Sequence, residues 1–397
     1  MTGRYRKAVR QRDEDGGKRL YIDVSTIYRR DSGTGIQRVV RALLLEIYQW
    51  SGDWTVVPVF ATRKKSYHIV GTDFCVGPRL AANRSGMPVV PRSGDIFLGL
   101  DLSAHLLPRY RGQCRWWKAM GVKVAVIVYD LLPYDHPDLF TPKNVANFRR
   151  WLSFVLTEVD EAICISATVA SRLREIASSC EATHTRPQVS RITLGGDLSS
   201  SQPTEGLTTY DHEVLDGVAR SRFTVLMVGT VEPRKAYDFA LDAMDKIWAE
   251  DRDWPVNLVV VGKAGWQSDL TEKRMAEHPE KGQRFFRLDN ASDECLDALY
   301  RRSHGLLMSS HDEGFGLPVS EALSYGKPVL ARDLPVFREL DHPQLSFFDS
   351  VDAASCAAAI KDWIDASERG GKRVHKSLPS WNDAGVMLRQ TIDRMTN

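Results

Sequence analysis

Strand-like and helix-like segments alternate along almost the whole chain of 397 residues. Residues 54–60, 95–100 and 122–130 are short apolar runs, which are typical of strands buried on both faces. Residues 36–50 instead place apolar side chains three and four positions apart, which indicates one buried face of a helix. Because strands that alternate with helices pair in parallel, this pattern predicts an α/β fold with helices on both faces of the sheet.

A polar segment at residues 199–213 interrupts the alternation, and we interpret it as a link between domains. We therefore predict a first domain at residues 1–205, a second at 206–380 and a final helix within 381–397. Two doubly wound α/β domains are expected, with a cleft between them and ligands at the carboxyl ends of their strands. Further strands are predicted at residues 19–28, 161–166, 222–229, 256–262, 305–310 and 328–332, and further helices at 144–159, 168–178, 236–250, 292–303, 318–326, 353–367 and 381–396.

Composition and the spacing of the cysteines indicate the cellular compartment in which the protein is expected. No run of about 18 apolar residues is present, so no transmembrane helix is predicted. The first twenty residues are rich in Arg and Lys without an apolar core, unlike a signal peptide. Six scattered cysteines predict reduced thiols and no zinc site, and together these features favour a cytoplasmic protein. The cysteines are Cys75, Cys114, Cys164, Cys180, Cys295 and Cys356.

The charge is distributed unevenly. Residues 1–205 hold 29 basic and 20 acidic side chains, whereas residues 206–397 hold 24 and 31. The first half is therefore expected to favour an anionic partner, such as a membrane surface, in a salt-dependent manner. The alternatives are a solvated tail, charges scattered by folding, or tryptophans buried in a core. The residues proposed for this surface are the basic tail, Arg63, Lys64, Lys65, Arg109, Arg111, Arg115 and Lys118, around Trp116 and Trp117.

The segment "HDEGFGLPVSEALSYG" follows the predicted strand 305–310 and opens a helix. Its glycines allow the backbone to approach a ligand closely, and the amides of Phe315, Gly316 and Leu317 favour an anion at the helix start. Two carboxylates, Glu313 and Glu321, flank these amides. Glu321 either complements the helix dipole or accepts hydrogen bonds from a ligand diol such as ribose.

The segment "VGTVEPRKAYDFALDAM" places Arg234 and Lys235 between Gly229 and a predicted helix. Two cations at a helix N-terminus oppose its dipole, which costs a few tenths of a kcal/mol or more each. A bound anion would offset that cost, since Arg and Lys both bind phosphate oxygens. The pair therefore predicts a phosphate site, and the alternative is a surface pair that falls there by chance.

Two weaker candidates lie in the first half. The glycine loop at Gly33, Thr34 and Gly35, with Arg38 in the following helix, resembles a phosphate loop but lacks the third glycine of the dinucleotide fingerprint. It is otherwise a plain turn. Asp130 ends the predicted strand 122–130, at the edge where active-site groups collect, and either orients an acceptor or accepts its proton. The alternative for Asp130 is a cap on the turn before Pro133. The Asp-Glu-Asp run at residues 13–15 has no strand before it and is not interpreted as a metal site.

Together these segments resemble the retaining glycosyltransferases of family 4, whose Glu-x7-Glu motif matches Glu313 and Glu321. The segments "LVVVGKAGW" and "GKPVLARDLPVFREL" also match in order and spacing. The resemblance covers residues 222–340 well and the first half loosely. It implies a GT-B fold, in which two Rossmann-like domains face each other across a cleft. The first domain would bind the acceptor, the second the nucleotide sugar, and the last helix would cross back to the first domain.

The resemblance also implies roles. Glu321 would hold the ribose, Glu313 and the amides of residues 315–317 would hold the donor sugar and its phosphate, and Arg234 and Lys235 would neutralise the departing diphosphate without a metal. The nucleotide base is expected near Lys263, Asp289 and Asn290. Many relatives have His-Asp where this chain has Tyr129-Asp130, so no role is transferred to Tyr129, nor to the nearby His136.

The expected activity is retaining transfer of a hexose to a saccharide or lipid-linked saccharide acceptor in polysaccharide or lipopolysaccharide biosynthesis. The first choice of donor is GDP-mannose, followed by UDP-glucose or a rhamnose nucleotide. We expect no cofactor, no metal and no nucleic-acid partner, and a cytoplasmic location that includes the inner face of the membrane. The alternatives are a GT-B-like sugar-nucleotide epimerase and a non-catalytic nucleotide-sugar-binding protein. Front-face and double-displacement mechanisms both stay open.

Overall fold

The computed structural model describes residues 17–50, 52, 54–70, 86–180, 186–198, 206–369 and 376–396. The chain forms two compact units. The first comprises Met1–Leu194 together with Trp381–Asn397, and the second comprises Gly195–Ser380. Each unit has its own sheet and its own apolar cores.

The first unit is built on a seven-stranded sheet in the order β3-β2-β1-β4-β5-β6-β7. All neighbouring strands are parallel except the β2–β3 pair. Strand order therefore reverses between β1 and β4. The strands are β1 Lys18–Asp23, β2 Trp54–Phe60, β3 His68–Ile69, β4 Ile96–Gly99, β5 Lys123–Val128, β6 Glu161–Cys164 and β7 Gln188–Arg191.

Helices of the first unit cover its sheet with their apolar faces. Some begin where a side chain caps the free amides: Thr34 caps the second helix and Ser166 the sixth. The helices are α1 Ser25–Arg29, α2 Gly35–Tyr48, α3 Arg111–Ala119, α4 Leu132–Asp135, α5 Pro142–Glu158 and α6 Ala167–Ser179.

The second unit has a six-stranded, wholly parallel sheet in the order β10-β9-β8-β11-β12-β13. This is the Rossmann order, and it reverses between β8 and β11. Central strands β8 and β9 are buried along their whole length, as their continuous apolar sequences predict. The strands are β8 Phe223–Val228, β9 Val256–Val261, β10 Phe285–Leu288, β11 Gly305–Met308, β12 Val329–Arg332 and β13 Leu345–Phe348.

Helices cover the second sheet as well. A short 3-10 turn, Pro233–Lys235, precedes the helix that follows β8. The helices are α7 Thr209–Arg220, α8 Tyr237–Glu250, α9 Asp269–Ala276, α10 Asp293–Arg302, α11 Leu317–Ser324, α12 Pro335–Arg338 and α13 Ala353–Glu368.

The last helix, α14 Trp381–Arg394, belongs to the first unit. It packs so closely on α2 that a Cβ at Gly385 would lie 2.7 Å from the Cβ of Glu46. Trp54 of β2 also donates from Nε1 to Asp393 Oδ1 at 2.9 Å. The first unit is therefore assembled from two segments of the chain that are far apart in sequence.

Several predictions about the elements were wrong in detail. The chain passes to the second unit at Leu194, before the predicted boundary at 205, because Leu198 packs on the second unit's apolar core. The predicted link 199–213 contains the start of α7, and residues 199–205 lie outside the description. The predicted strand 19–28 stops at Asp23, whose Oδ1 accepts the amide of Ser25 at 2.9 Å and begins a helix.

Two further expectations concern membranes and thiols. No described helix is both long and apolar enough to cross a membrane. Five cysteines are free thiols, of which Cys180 is exposed and the other four are buried. Cys75, the basic tail and the Asp-Glu-Asp run at 13–15 lie outside the described residues.

Candidate active site

The carboxyl edge of the second sheet brings together the loops after β8 and β11, the strands between which the order reverses. In open α/β sheets this crevice is the usual ligand site. Gly229 and Gly262 sit at its base with φ of 147° and 148°. A Cβ at Gly262 would lie 2.0 Å from the Gly229 carbonyl oxygen, so only glycine fits there. Tyr237 fixes the loop by donating to that oxygen at 2.7 Å.

Four charged residues from these loops form an ion cluster, Glu232, Arg234, Lys235 and Glu313. Glu313 Oε2 contacts Arg234 Nη1 at 2.7 Å, and its Oε1 contacts Lys235 Nζ at 2.5 Å. Arg234 Nη2 also contacts Glu232 Oε1 at 2.7 Å. Ser310 donates from its hydroxyl to Glu313 at 2.7 Å. The predicted basic pair and the first glutamate of the motif are thus in direct contact.

The ion cluster is buried, and its charges hold one another. Burial alone would raise the pKa of Glu313, but Arg234 and Lys235 outweigh it and lower that pKa to about 2. Burial lowers the pKa of Lys235, whereas Glu313 opposes this shift. Two cations contact one carboxylate, so Glu313 is ionised at neutral pH. Burial raises the pKa of Glu232, against the effect of Arg234.

The start of α11 lies beside Glu313. Gly316 has φ of 86°, and a Cβ there would lie 2.3 Å from the ring of Phe337. The amides of Phe315, Gly316 and Leu317 donate to no acceptor within the described part of the chain. Three unused donors at a helix start suit an anion.

Glu321 lies one turn further along α11 and is buried, with only 2% of its surface exposed. Its Oε2 accepts the hydroxyl of Tyr300 at 2.6 Å, and Tyr300 stacks on Tyr325 with ring centroids 5.2 Å apart. The carboxylate is therefore oriented by a partner from α10. Its predicted contact with ribose stays a prediction.

The residues predicted near the base lie farther along the same edge. Lys263 follows β9, and Asp289 and Asn290 follow β10; all three side chains are exposed. Arg287, two residues before Asp289, is paired with Glu272 at 2.7 Å. Strand order thus places these loops on the β9–β10 side of Gly229.

The first-half candidates lie in the other unit. Thr34 and Gln37 cap each other's backbone at the start of α2, and Gly33 has φ of 65°. This capping box gives the glycine loop a structural explanation, with Gly35 beginning the helix and Arg38 half-buried in its first turn. A phosphate-binding role for this loop stays a prediction.

Asp130 follows β5 and accepts the amide of Leu132 at 3.2 Å, which is the predicted turn cap. Its role toward an acceptor stays a prediction. Tyr129 is buried and donates to the carbonyl of Leu100 at 2.6 Å, so it supports the fold. His136 ends α4 and is half-buried.

Sequence reasoning missed two buried carboxylates where the first sheet's order reverses, after β1 and β4. Asp101 Oδ2 accepts the amides of Thr26 and Ile27, both at 2.7 Å. Asp23 accepts the hydroxyl of Tyr67 at 2.9 Å. Burial, with a contribution from Asp23, raises the pKa of Asp101 to about 6, and burial raises the pKa of Asp23.

The predicted basic surface is divided. Arg115 pairs with Glu158 at 2.6 Å and Lys118 with Asp160 at 3.1 Å. Trp117 is in the core, whereas Trp116 is 45% exposed. Helix α3 thus buries one of the two tryptophans named for this surface and pairs two of its cations with acids. Association with a membrane surface stays a prediction.

Sequence reasoning also missed residues that orient the second unit's site, among them Tyr237, Ser310 and Tyr300. Ser310 stands next to the motif, and a polar residue after an apolar strand was the available signal. Tyr300 is 21 residues from Glu321, and no local pattern connects them. Within the ranges described, no three or more His, Cys, Asp and Glu side chains are grouped as metal ligands would be.

Comparisons with known proteins concern the family and the fold. Residues 217–375 match the family model described as "Glycosyl transferases group 1". The serotype-specific mannosyltransferase WbdA of Escherichia coli is 34% identical over 387 residues, which cover 94% of this chain and 46% of WbdA. This chain thus spans about half the length of WbdA. The O-antigen chain mannosyltransferase RfbU of Salmonella typhimurium is 24% identical over 260 residues, covering 65% of this chain and 62% of RfbU.

A solved structure confirms the fold. Anabaena HepE, crystallised with UDP and glucose, has a TM-score of 0.58 at 15% identity, covering 96% of this chain and 97% of HepE. At that identity the likeness concerns the fold alone. The predicted class, two Rossmann-like α/β domains, is confirmed.

Proposed function

We propose that the protein is a retaining hexosyltransferase, because residues 217–375 match the glycosyl transferases group 1 model and the fold is similar to that of HepE. The donor is a nucleotide-diphosphate sugar, with GDP-mannose as the first choice. The acceptor is a saccharide or a lipid-linked saccharide of polysaccharide or lipopolysaccharide assembly. Support for mannose comes from the names of WbdA and RfbU, both mannosyltransferases.

The observation that carries the proposal is the ion cluster beside unused amides at the reversal of strand order. Glycosyl transfer builds negative charge on the departing diphosphate, and fixed donors stabilise that charge best. Lys235 has three N–H donors, and Glu313 is the one acceptor described for them. Its remaining donors and the amides of Phe315, Gly316 and Leu317 would bind the phosphate oxygens and the sugar.

Glu313 has a second task in this scheme. It holds Arg234 and Lys235 in a buried place, and without it their charges would repel each other. Because its own pKa is about 2, it stays ionised and accepts hydroxyl hydrogens of the donor sugar. Glu321 would accept the ribose hydroxyls, in competition with or beside Tyr300.

The first unit would bind the acceptor. Asp130, at the carboxyl end of β5, would orient the attacking hydroxyl or accept its proton. The loop of Gly33, Thr34 and Gly35, with Arg38, would contact the acceptor or a phosphate on it. We also propose that the protein works at the cytoplasmic face of the membrane, where Trp116 is available for peripheral contact.

A donor screen followed by a transfer assay tests the proposal. Thermal unfolding with GDP, UDP and dTDP sugars should show one nucleotide that raises Tm clearly, since a ligand at about 100 times its Kd adds roughly 2.7 kcal/mol. Transfer of labelled hexose to an acceptor should then proceed with EDTA present, and NMR of the product should show the anomeric configuration of the donor. Release of an epimerised sugar without an acceptor, or binding without turnover, would contradict the proposal.

A further inference from the structure

The first unit contains a cavity of about 560 Å³, a size typical of ligand sites. We call it the basic cavity. It lies at the carboxyl edge of the first sheet, between the loop after β2, the loop after β4 and helix α5. Its lining residues are Arg63, Ala104, His105, Pro108, Arg109, Lys143, Asn147 and Arg150.

The charged side chains described around the basic cavity are all of one sign. Arg63, Arg109, Lys143 and Arg150 contribute four cations, and the described lining residues include no carboxylate. None of the four forms an ion pair with an acid in the described ranges, whereas Arg115 and Lys118 nearby in sequence do. A concave site lined by one sign of charge concentrates counter-ions.

Helix α5 contributes to this arrangement. Lys143, Asn147 and Arg150 are spaced by four and three residues, so they share one face of the helix. Lys143 lies in the first turn, which contains no acidic residue. A cation there opposes the helix dipole, and an anion in the cavity would interact favourably with both the cation and the helix start.

The pKa of His105 is sensitive to the same positive charges. Burial lowers its pKa, and the charges of Arg63, Arg29 and Lys143 lower it further. This imidazole therefore faces uncompensated positive charge from the loop after β2, from α1 and from α5. An anion bound in the cavity would oppose the effect of these cations and raise the pKa of His105.

We propose that the basic cavity binds the phosphate or diphosphate ester of the acceptor. The anion binding stands on the cavity itself, while its assignment to the acceptor rests on the proposed function. Arginine forks match phosphate oxygens, and four cations balance more charge than one phosphate carries. The sugar end of the acceptor would remain outside the cavity for the transfer reaction.

Calorimetric titration with inorganic pyrophosphate tests the binding, with GDP kept saturating so that the nucleotide site is occupied. Lys143→Ala and Arg150→Ala are each expected to weaken pyrophosphate about tenfold, and the double variant about a hundredfold. Arg149→Ala is the matched control, because Arg149 is an exposed cation on α5 outside the cavity. Equal weakening by Arg149→Ala, or no weakening by the cavity variants, would overturn the proposal.

Proton NMR of His105 gives an independent readout. Pyrophosphate should raise the pKa of His105 in the wild type and in Arg149→Ala, and much less in the Lys143→Ala, Arg150→Ala double variant. His105→Gln identifies the resonance. An unchanged titration curve in the wild type under saturating pyrophosphate would place the anion elsewhere and contradict the proposal.

Two further arms separate the sources of phosphate. With phosphate-bearing acceptors, Lys143→Ala should raise KM about tenfold, with no change for a phosphate-free oligosaccharide or in GDP affinity. If wild type binds phosphatidylglycerol vesicles but not pyrophosphate, the cavity is a headgroup surface and the proposal is wrong. If pyrophosphate binds as expected but no hexose is transferred, the proposed function fails while the anion site stands.

Discussion

Both sheets reverse strand order at equivalent places, and a buried carboxylate lies at each reversal. The pKa values of these two carboxylates are shifted in opposite directions. In the first unit Asp101, after β4, accepts two backbone amides from the segment after β1. In the second unit Glu313, after β11, contacts two cationic side chains from the segment after β8. Burial raises the pKa of Asp101 to about 6, and the cations lower that of Glu313 to about 2.

This difference distinguishes a carboxylate that supports the fold from one whose partners can also bind a ligand. Backbone amides are fixed by α1, so the contacts of Asp101 connect two loops of the fold. The cations of the ion cluster are flexible side chains that can share their donors with an incoming phosphate. The same topological position therefore holds a structural carboxylate that connects two loops in the first unit and a candidate reaction centre in the second unit.

The largest expected effect is on catalysis in the second unit. Arg234→Ala or Lys235→Ala should lower kcat/KM about a hundredfold or more, because a fixed donor to the leaving group is lost. Steady-state kinetics with the identified donor measure this, and magnesium should not restore activity. Arg222→Ala is the control, since Arg222 pairs with Glu368 at the opposite edge of the sheet. Near-wild-type activity in either variant would remove that residue from the mechanism.

Glu313→Gln should destabilise the fold. Removing one partner of a buried ion pair costs about 3 kcal/mol. Because the folded pKa of about 2 lies below the ordinary value of 4.5, this stabilisation is present above about pH 4.5 and is lost as pH falls toward 2. Urea unfolding should therefore show a large difference at pH 7 and a smaller one at pH 3. Glu272→Gln, which removes a more exposed partner of Arg287, should show little of either; equal losses at both pH values would contradict the assignment.

Asp101→Asn should do the reverse. The folded pKa of about 6 lies above the ordinary 3.8, so the stabilising effect is present below about pH 4 and is lost as pH rises through 6. An Asn oxygen can still accept both amides, so the variant should gain up to about 3 kcal/mol of unfolding free energy at pH 7 and nothing at pH 4. Asp160→Asn, which instead removes a partner of Lys118, should not reproduce this gain. A loss of stability at pH 7 would mean that the charge of Asp101 is needed.

Glu321→Ala should weaken GDP, or whichever nucleoside diphosphate binds, about tenfold, since hydrogen bonds to a charged group contribute roughly 1.5–3 kcal/mol. Calorimetry with the nucleotide alone measures this. Tyr300→Phe keeps the carboxylate but removes its buried donor. If both variants bind the nucleotide as wild type does, Glu321 only supports α11.

The smallest effect is expected from Asp130→Asn in the first unit. If Asp130 only orients the acceptor, transfer should fall about fivefold, the value of one hydrogen bond, with nucleotide affinity unchanged. A loss of a hundredfold or more would instead indicate that Asp130 accepts the proton. Unaltered transfer would leave the contact with the Leu132 amide as its role.

Sequence patterns predicted the long, strongly periodic elements best. Strand β8 and helix α8 match their predicted ranges within one residue at each end. Short elements were missed, among them β13 and α9, because four to eight residues with mixed polarity carry no clear period. Strand β1 was predicted too long because Asp23, not an apolar pattern, decides where it ends.

The site residues also differ in how well the sequence predicted them. Arg234 and Lys235 were found because two cations at a helix start oppose its dipole, and Glu313 was found because it belongs to the Glu-x7-Glu motif. The contact between Asp101 and the amide of Thr26 could not be predicted from a local pattern, because it joins residues 75 positions apart. Likewise, the cations of α3 and of α5 look alike in sequence, and only the fold decides that Glu158 neutralises Arg115 while nothing described neutralises Arg150.

The position of α14 has a consequence for biosynthesis. As the chain is made from its amino end, Gly195–Ser380 is complete before Trp381–Arg394 is synthesised. The second unit can therefore finish folding while the first still exposes the surface of α2 that Gly385 will cover. Translation stopped after residue 380 would leave a second unit with all its own segments and a first unit lacking one. Chaperone demand and proteolytic clearance of interrupted chains should consequently fall on the half that was synthesised first.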